Sequence, residues 1–211
     1  MRNIYQIHVM LYRFLLFILL LNLNCTKAYD NRSKSSKDDN QFENTVYRVL
    51  DLYNAKNQKS LNLYVNQDLK LYFLFKRGVH DNLSIQDSIE FNHPIPEYLP
   101  YEKLSFHKSL PINYNIIPEY SCEKESWNRE KGIYVSDFGG DKKRSVVAKE
   151  EKLLELNDWS SEDIDQLHQI EQQSKKVLVI NEEGAELIFY LTLHQGNWYL
   201  TGIDRFEVCS A

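Results

Sequence analysis

The sequence predicts an α+β domain in which an antiparallel sheet packs on an N-terminal helix and a helical insertion interrupts the strands. Three observations predict it. Residues 176–209 hold three strand-like runs, Lys176–Asn181, Ala185–His194 and Trp198–Cys209, separated by Glu182-Glu183-Gly184 and by Gln195-Gly196-Asn197. Near the start of the domain, Phe42, Val46, Val49, Leu50 and Tyr53 recur at helical spacing. Between the early and late strands, Val147–Leu156 and Ser161–Ser174 carry a second and third helical pattern.

The chain ahead of the domain reads as an address. Arg2 and Arg13 precede Phe14–Leu21, an unbroken apolar run too short to span a bilayer, which is the layout of a signal peptide over residues 1–25. Cys25, after a leucine-rich stretch, resembles the cysteine of a bacterial lipobox, which is lipidated and becomes the mature N-terminus. Thr26-Lys27-Ala28 offers an ordinary small-x-small cleavage site instead. Residues 26–41 are polar and form a flexible tether, leaving 42–211 as one α+β domain. Both exits place the protein outside the cytoplasm: lipid-anchored in the cell envelope (periplasm or outer membrane) by the first, secreted and soluble by the second.

The chain of 211 residues suits one domain plus such appendages, and 43% hydrophobic residues with fourteen tyrosines can bury a core. Removing residues 1–28 takes away three basic residues and no acidic one, which moves the formal net charge from −5 to −8. That balance excludes a basic nucleic-acid footprint and leaves the N-terminal lipid as the only expected contact with a membrane.

In chain order, a helix is expected from about 43 to 57, with Asn44 and Thr45 available as caps, and a shorter one around Leu61–Val65. Leu69–Lys76 reads as a strand ending at Gly78, and Ser84–Phe91 as a short helix opened by Asn82 or Ser84. Pro94, Pro96 and Pro100 make an extended, rim-like segment. Ile112–Tyr120, with Pro118 inside it, is at best an edge strand, and Gly132–Asp137 is another short strand. Gly139–Arg144 is expected as a polar loop, and Ser161-Glu162-Asp163 gives the following helix a capped, acid-rich start.

Gly196-Asn197 suits a type II′ hairpin turn. Pairing across it sets His194 opposite Tyr199 and Phe189 opposite Asp204, and alternation then gathers Leu187, Phe189, Leu191, Leu193, Trp198, Leu200, Phe206 and Val208 on one oily face. Asp204 falls on that face. It is expected either to lie at the rim beside a cation or to be a pocket carboxylate with a raised pKa, able to serve as a general base. Phe189, Trp198 and Asp204 are therefore the candidate ligand-binding residues, Asp204 the catalytic candidate, and Tyr190 and Tyr199 its neighbours.

Cys122 and Cys209 remain as an even pair in an oxidising compartment, expected either as a disulfide or as two buried thiols. No metal is expected, because no two of the six histidines stand at ligand spacing; no cofactor is expected, because the seven glycines form no phosphate loop. Asp137-Phe138-Gly139 spells a kinase tripeptide without the loops that accompany it there.

This order of elements, a helix pair, a strand, a short helix, irregular strands and a closing meander, resembles the NTF2-like superfamily, the cystatin-related cone in which a curved sheet wraps a long helix. Leu71-Tyr72-Phe73-Leu74-Phe75-Lys76-Arg77-Gly78-Val79 running into Ser88-Ile89-Glu90-Phe91 is similar to secreted lipoproteins of Bacteroidetes-type bacteria. The resemblance implies a cone that binds a ligand or partner, and in some members an isomerase or dehydratase using an acid inside it. The leading expectation is a non-enzymatic cell-envelope lipoprotein that binds an envelope protein or a small molecule in a sheet concavity. The rivals are an isomerase or dehydratase with Asp204 as base, and a structural envelope protein without a ligand.

Overall fold

A computed structural model describes residues 39–104, 110–137, 143–182, 184, 186–207 and 209. The chain divides into two units, residues 1–42 and 43–211, and every described strand lies in the second. Cys25 and both candidate cleavage sites, and with them residues 1–38, lie outside the described residues. Among the described residues no helix is long and apolar enough to cross a membrane.

Helix α1 covers residues 39–54. It starts ahead of Asn44 and Thr45, which are helical rather than caps: Thr45 is buried beside Val46, so packing of the apolar stripe overrides its capping preference. Helix α2, Gln58–Leu61, is capped by Asn57, whose side chain accepts from the Ser60 amide, and continues into one 3-10 turn at Asn62–Tyr64.

Strands β1 (Leu71–Arg77) and β2 (His80–Gln86) form an antiparallel hairpin, with Gly78 at φ +68° supplying the left-handed residue of its turn. The short helix expected from Ser84 is therefore a strand up to Gln86. Its polar sequence carries no strand signal of its own, and pairing along the whole of β1 decides the matter. The proline segment is held by Arg205, whose Nη2 donates to the Leu99 and Pro100 carbonyls while its guanidinium stacks 4.7 Å from the Tyr101 ring centre.

Strand β3 is short, Ile112–Tyr114, and leaves Pro118 outside it. Strands β4 (Tyr120–Ser121) and β5 (Ser126–Trp127) make a separate two-stranded hairpin. Strand β6 is Gly132–Asp137, followed by helices α3 (Arg144–Leu153) and α4 (Ser161–Gln172) and by strands β7 (Ser174–Ile180), β8 (Glu186–His194) and β9 (Asn197–Asp204). Ser160 caps α4 in a capping box with Asp163. Arg144, expected in a polar loop, is instead the first residue of α3 and fully buried.

The seven-stranded sheet runs β2-β1-β9-β8-β7-β6-β3. It is mixed rather than purely antiparallel, because β1 pairs parallel with β9 and β3 parallel with β6. One face carries Phe73, Phe189, Leu191, Leu200 and Ile203, all nearly inaccessible. Helix α1 covers this face, with Tyr53 reaching Phe73 through Tyr101 at ring separations of 6.2 and 6.3 Å. On the other face Tyr72, Leu74 and Tyr190 pack against Val147 and Ala148 of α3 and Leu167 and Ile170 of α4. Burying each large aliphatic group there contributes about 1.5–3 kcal/mol. The insertion is thus a third layer.

A buried polar seam seats that layer. The Arg144 guanidinium lies between the Tyr72 and Tyr190 rings, 5.2 and 5.6 Å from their centres, and donates to the Thr201 carbonyl at 3.0 Å and to Ser174 Oγ at 3.2 Å. The hydroxyls of Ser174, Thr192 and Thr201 are linked at 2.6 Å each. Glu171 accepts from the Ser145 amide and hydroxyl at 2.8 and 2.6 Å. The two donated bonds and the flanking rings let a buried cation persist without its full desolvation cost.

Candidate functional site

The closing hairpin turns at Gln195-Gly196, not at Gly196-Asn197. Both turn residues have positive φ, +49° and +78°, which is the type I′ geometry, and Asn197 pairs with His194 as the first residue of β9. Leu193 therefore faces Trp198 and Leu191 faces Leu200, and these four still share one face. A bulge then intervenes between Tyr190 and Leu191, after which Tyr190 pairs with Gly202, Phe189 with Ile203 and Ile188 with Asp204.

That extra residue changes the candidate site. Phe189 and Trp198 stay on the α1 face, where they are 1% and 8% exposed and part of the core. Asp204 moves to the opposite face with Ile188 and Tyr190. The trio Phe189, Trp198 and Asp204 is not brought together, and the first two are packing residues. The bulge has no signature in the sequence, so alternation carried through it assigns the far end of β9 to the wrong side.

On its own face Asp204 belongs to a different set. Its Oδ2 lies 3.4 Å from the Tyr190 hydroxyl and its Oδ1 accepts from the Phe206 amide at 3.0 Å. Arg205 is turned away toward the proline segment. Tyr190 reaches this position because its partner across the strands is Gly202: a Cβ there would sit 2.9 Å from Tyr190 Cδ2. Tyr199, paired with Thr192, packs at the edge of the α3–α4 cluster.

Sequence reasoning missed Glu186. It stands opposite Ile180 on β7 and two residues before Ile188 on the same face, where Trp127 of β5 and Ile188 pack against the cluster of Tyr134, Leu178 and Ile180. Burial, and then the Asp204 carboxylate, push its pKa from 4.5 up to about 7, against the pull of Lys176. Glu186 Oε2 is buried and has no hydrogen-bond partner. The register signal alone could have found it, since an acid at the mouth of an otherwise apolar strand is unusual.

A groove of about 670 Å³, lined in part by Ile180, the cross-strand partner of Glu186, opens between the β4–β5 hairpin and the end of β7. Tyr120 and Trp127 pack edge to face in its wall at 5.3 Å, and the Trp127 indole N–H donates to the Gly184 carbonyl at 3.3 Å. Arg129, Lys131, Glu130 and Asn181 add polar groups. Lys131 is ion-paired with Glu182. The hairpin is stapled, because Cys122 in its turn is disulfide-bonded to Cys209 beyond β9, with a Cα–Cα distance of 5.6 Å.

A second groove, of about 570 Å³, runs along the outer edge of β2. Glu151 closes part of that edge: its Oε1 accepts from the Leu83 amide at 2.8 Å, and its Oε2 from Asn157 and from the Trp159 indole at 3.0 and 2.7 Å. A carboxylate with three donors, 2% exposed, is a structural plug of the sheet edge rather than a reactive acid. The groove beside the stapled hairpin, walled by an edge-to-face aromatic pair and ringed by polar side chains, is the better candidate for function. Compared with known proteins, the chain matches no family model, no curated protein and no solved structure.

Proposed function

We propose that the protein is a non-enzymatic cell-envelope lipoprotein whose α+β domain binds a small ligand or a partner protein in the groove beside the β4–β5 hairpin. The observation that carries this reading is the groove itself. An aromatic pair, Tyr120 and Trp127, is held over it by a hairpin that the Cys122–Cys209 bridge ties to the end of the chain. Its volume falls in the range of about 300–1,000 Å³ usual for ligand sites. A thermal-shift screen across metabolites, glycans and purified envelope proteins is expected to give at least one stabilising hit that Arg129→Glu removes. A screen in which nothing shifts the melting curve counts against the reading.

The address rests on the apolar run before Cys25, and the disulfide, a bond at home in oxidising compartments, supports it. In a bacterial host, an alkyne-labelled fatty acid is expected to enter the wild-type chain and not Cys25→Ala. The NTF2-like reading of the fold draws on helix α1 packed on one face of the sheet and on the antiparallel run β6–β9 that closes it.

A second reading, an isomerase or dehydratase, is favoured by one feature: burial and then the Asp204 carboxylate push the Glu186 pKa up to about 7, the balance a general acid–base group needs. Here Glu186 replaces Asp204 as the proton-transferring residue, and the Asp204 charge helps it to hold its proton. A turnover found with any carbonyl or hydroxy-acid substrate that Glu186→Gln abolishes would establish this reading over simple binding.

A further inference from the structure

We propose that the groove between the β4–β5 hairpin and the end of β7 is a saccharide site that seats a neutral pyranose ring against Trp127. This rests on the binding reading of the same groove and names its ligand class. The indole is held in one orientation by its N–H bond to Gly184 and is braced edge-on by Tyr120, with 77° between the rings. An indole wall held in this way presents apolar area at little entropic cost, and the C–H face of a pyranose packs on such a ring.

The polar groups around it suit hydroxyls. The Asn181 amide, the Glu130 carboxylate and the Arg129 guanidinium line the same groove. Each is a planar fork with two atoms able to span neighbouring hydroxyl groups, and a hydroxyl both donates and accepts, so a sugar uses both kinds of fork. Charge argues for neutrality. Arg129 and Lys131 stand against Glu125, Glu130 and Glu182 in the lining, and Lys131 is already paired with Glu182. A phosphate would need a surplus of cations, and a fatty chain would lie against Glu125, Arg129, Glu130, Lys131 and Glu182. The small apolar floor, Ile180, accommodates only one face of a ring.

The test is a heteronuclear NMR titration of the purified, disulfide-intact protein with cellobiose, maltose and chitobiose as neutral probes. Digalacturonate and an acidic peptide serve as charged comparators. The Trp127 indole N–H, assigned by Trp127→Phe, is expected to shift saturably with at least one neutral disaccharide. Trp127→Ala should weaken that binding about tenfold or more, and Arg129→Ala, at an exposed position, should weaken it severalfold, whereas Trp159→Phe should leave it unchanged. Neutral sugars that leave the Trp127 indole unmoved, or that bind Arg129→Ala and Trp127→Ala as well as the wild type, overturn the saccharide assignment. If a charged comparator alone moves the indole, the groove reading stands and only the ligand class falls. Silence from every probe here and from the thermal-shift screen removes both.

Discussion

Glu186 is a residue whose surroundings change its chemistry. It sits on a strand among Ile180 and Ile188, faces the Asp204 carboxylate, and keeps one buried oxygen without a hydrogen bond. Its pKa is raised from 4.5 to about 7, so between those values the folded protein holds a proton that the unfolded chain has released. Stability from this group is therefore fully present below about pH 4.5 and is lost as pH rises through 7, on the order of 2 kcal/mol. Glu186→Gln is expected to remove that decline. Urea unfolding free energies at about pH 5 and about pH 8 should differ less in the variant than in the wild type, and an unchanged difference would place the slope elsewhere. Gly202 works at the same scale by a simpler route, since only the absence of a side chain lets the Tyr190 ring cross β9 and approach Asp204.

Among the elements, β2 and the α3–α4 insertion explain each other. Strand β2 is an outer strand with a weak strand sequence, and its exposed edge would invite pairing with another chain. Helix α3 supplies Glu151 to the Leu83 amide, and the loop before α4 supplies Asn157 and Trp159 to hold that carboxylate. Glu151→Ala leaves three donors without their acceptor and is expected to cost about 2–4 kcal/mol. The urea midpoint should fall at constant slope, and light scattering should report association through the opened edge. Glu151→Gln, which keeps an acceptor for Leu83, should recover part of the loss and stay monodisperse. The short helix expected over Ser84–Phe91 failed for the same reason that β2 needs a plug: its residues do not specify a strand locally, and β1 and Glu151 impose one.

For the whole molecule, the Cys122–Cys209 bridge is the longest covalent constraint among the described residues, spanning 87 positions. Closing so long a loop removes freedom from the unfolded chain equivalent to about 4–5 kcal/mol in the chain-entropy account. Both cysteines are exposed, so a reductant reaches them without unfolding. Reduction, or Cys122→Ser with Cys209→Ser, is expected to lower the melting temperature by many degrees and to broaden the Trp127 indole resonance as the hairpin loosens. A melting curve indifferent to reductant would show that the sheet alone carries the stability.

The sequence by itself determined what local patterns can carry. The helical stripe at Val46, Val49, Leu50 and Tyr53, the strand at Gly132–Asp137, the split helices of the insertion and the three closing strands all announce themselves in hydrophobic period and turn residues. Tertiary structure decided everything that depends on phase or on distant partners. One bulge beside Tyr190 moved Asp204 to the other side of the sheet, a type I′ turn at Gln195-Gly196 shifted the hairpin, and a residue expected in a polar loop, Arg144, became the buried anchor of the third layer. A side chain's face follows from counting along a strand only while the pairing stays regular, and the cost of a buried charge is settled by groups up to 57 residues away, such as the Thr201 carbonyl.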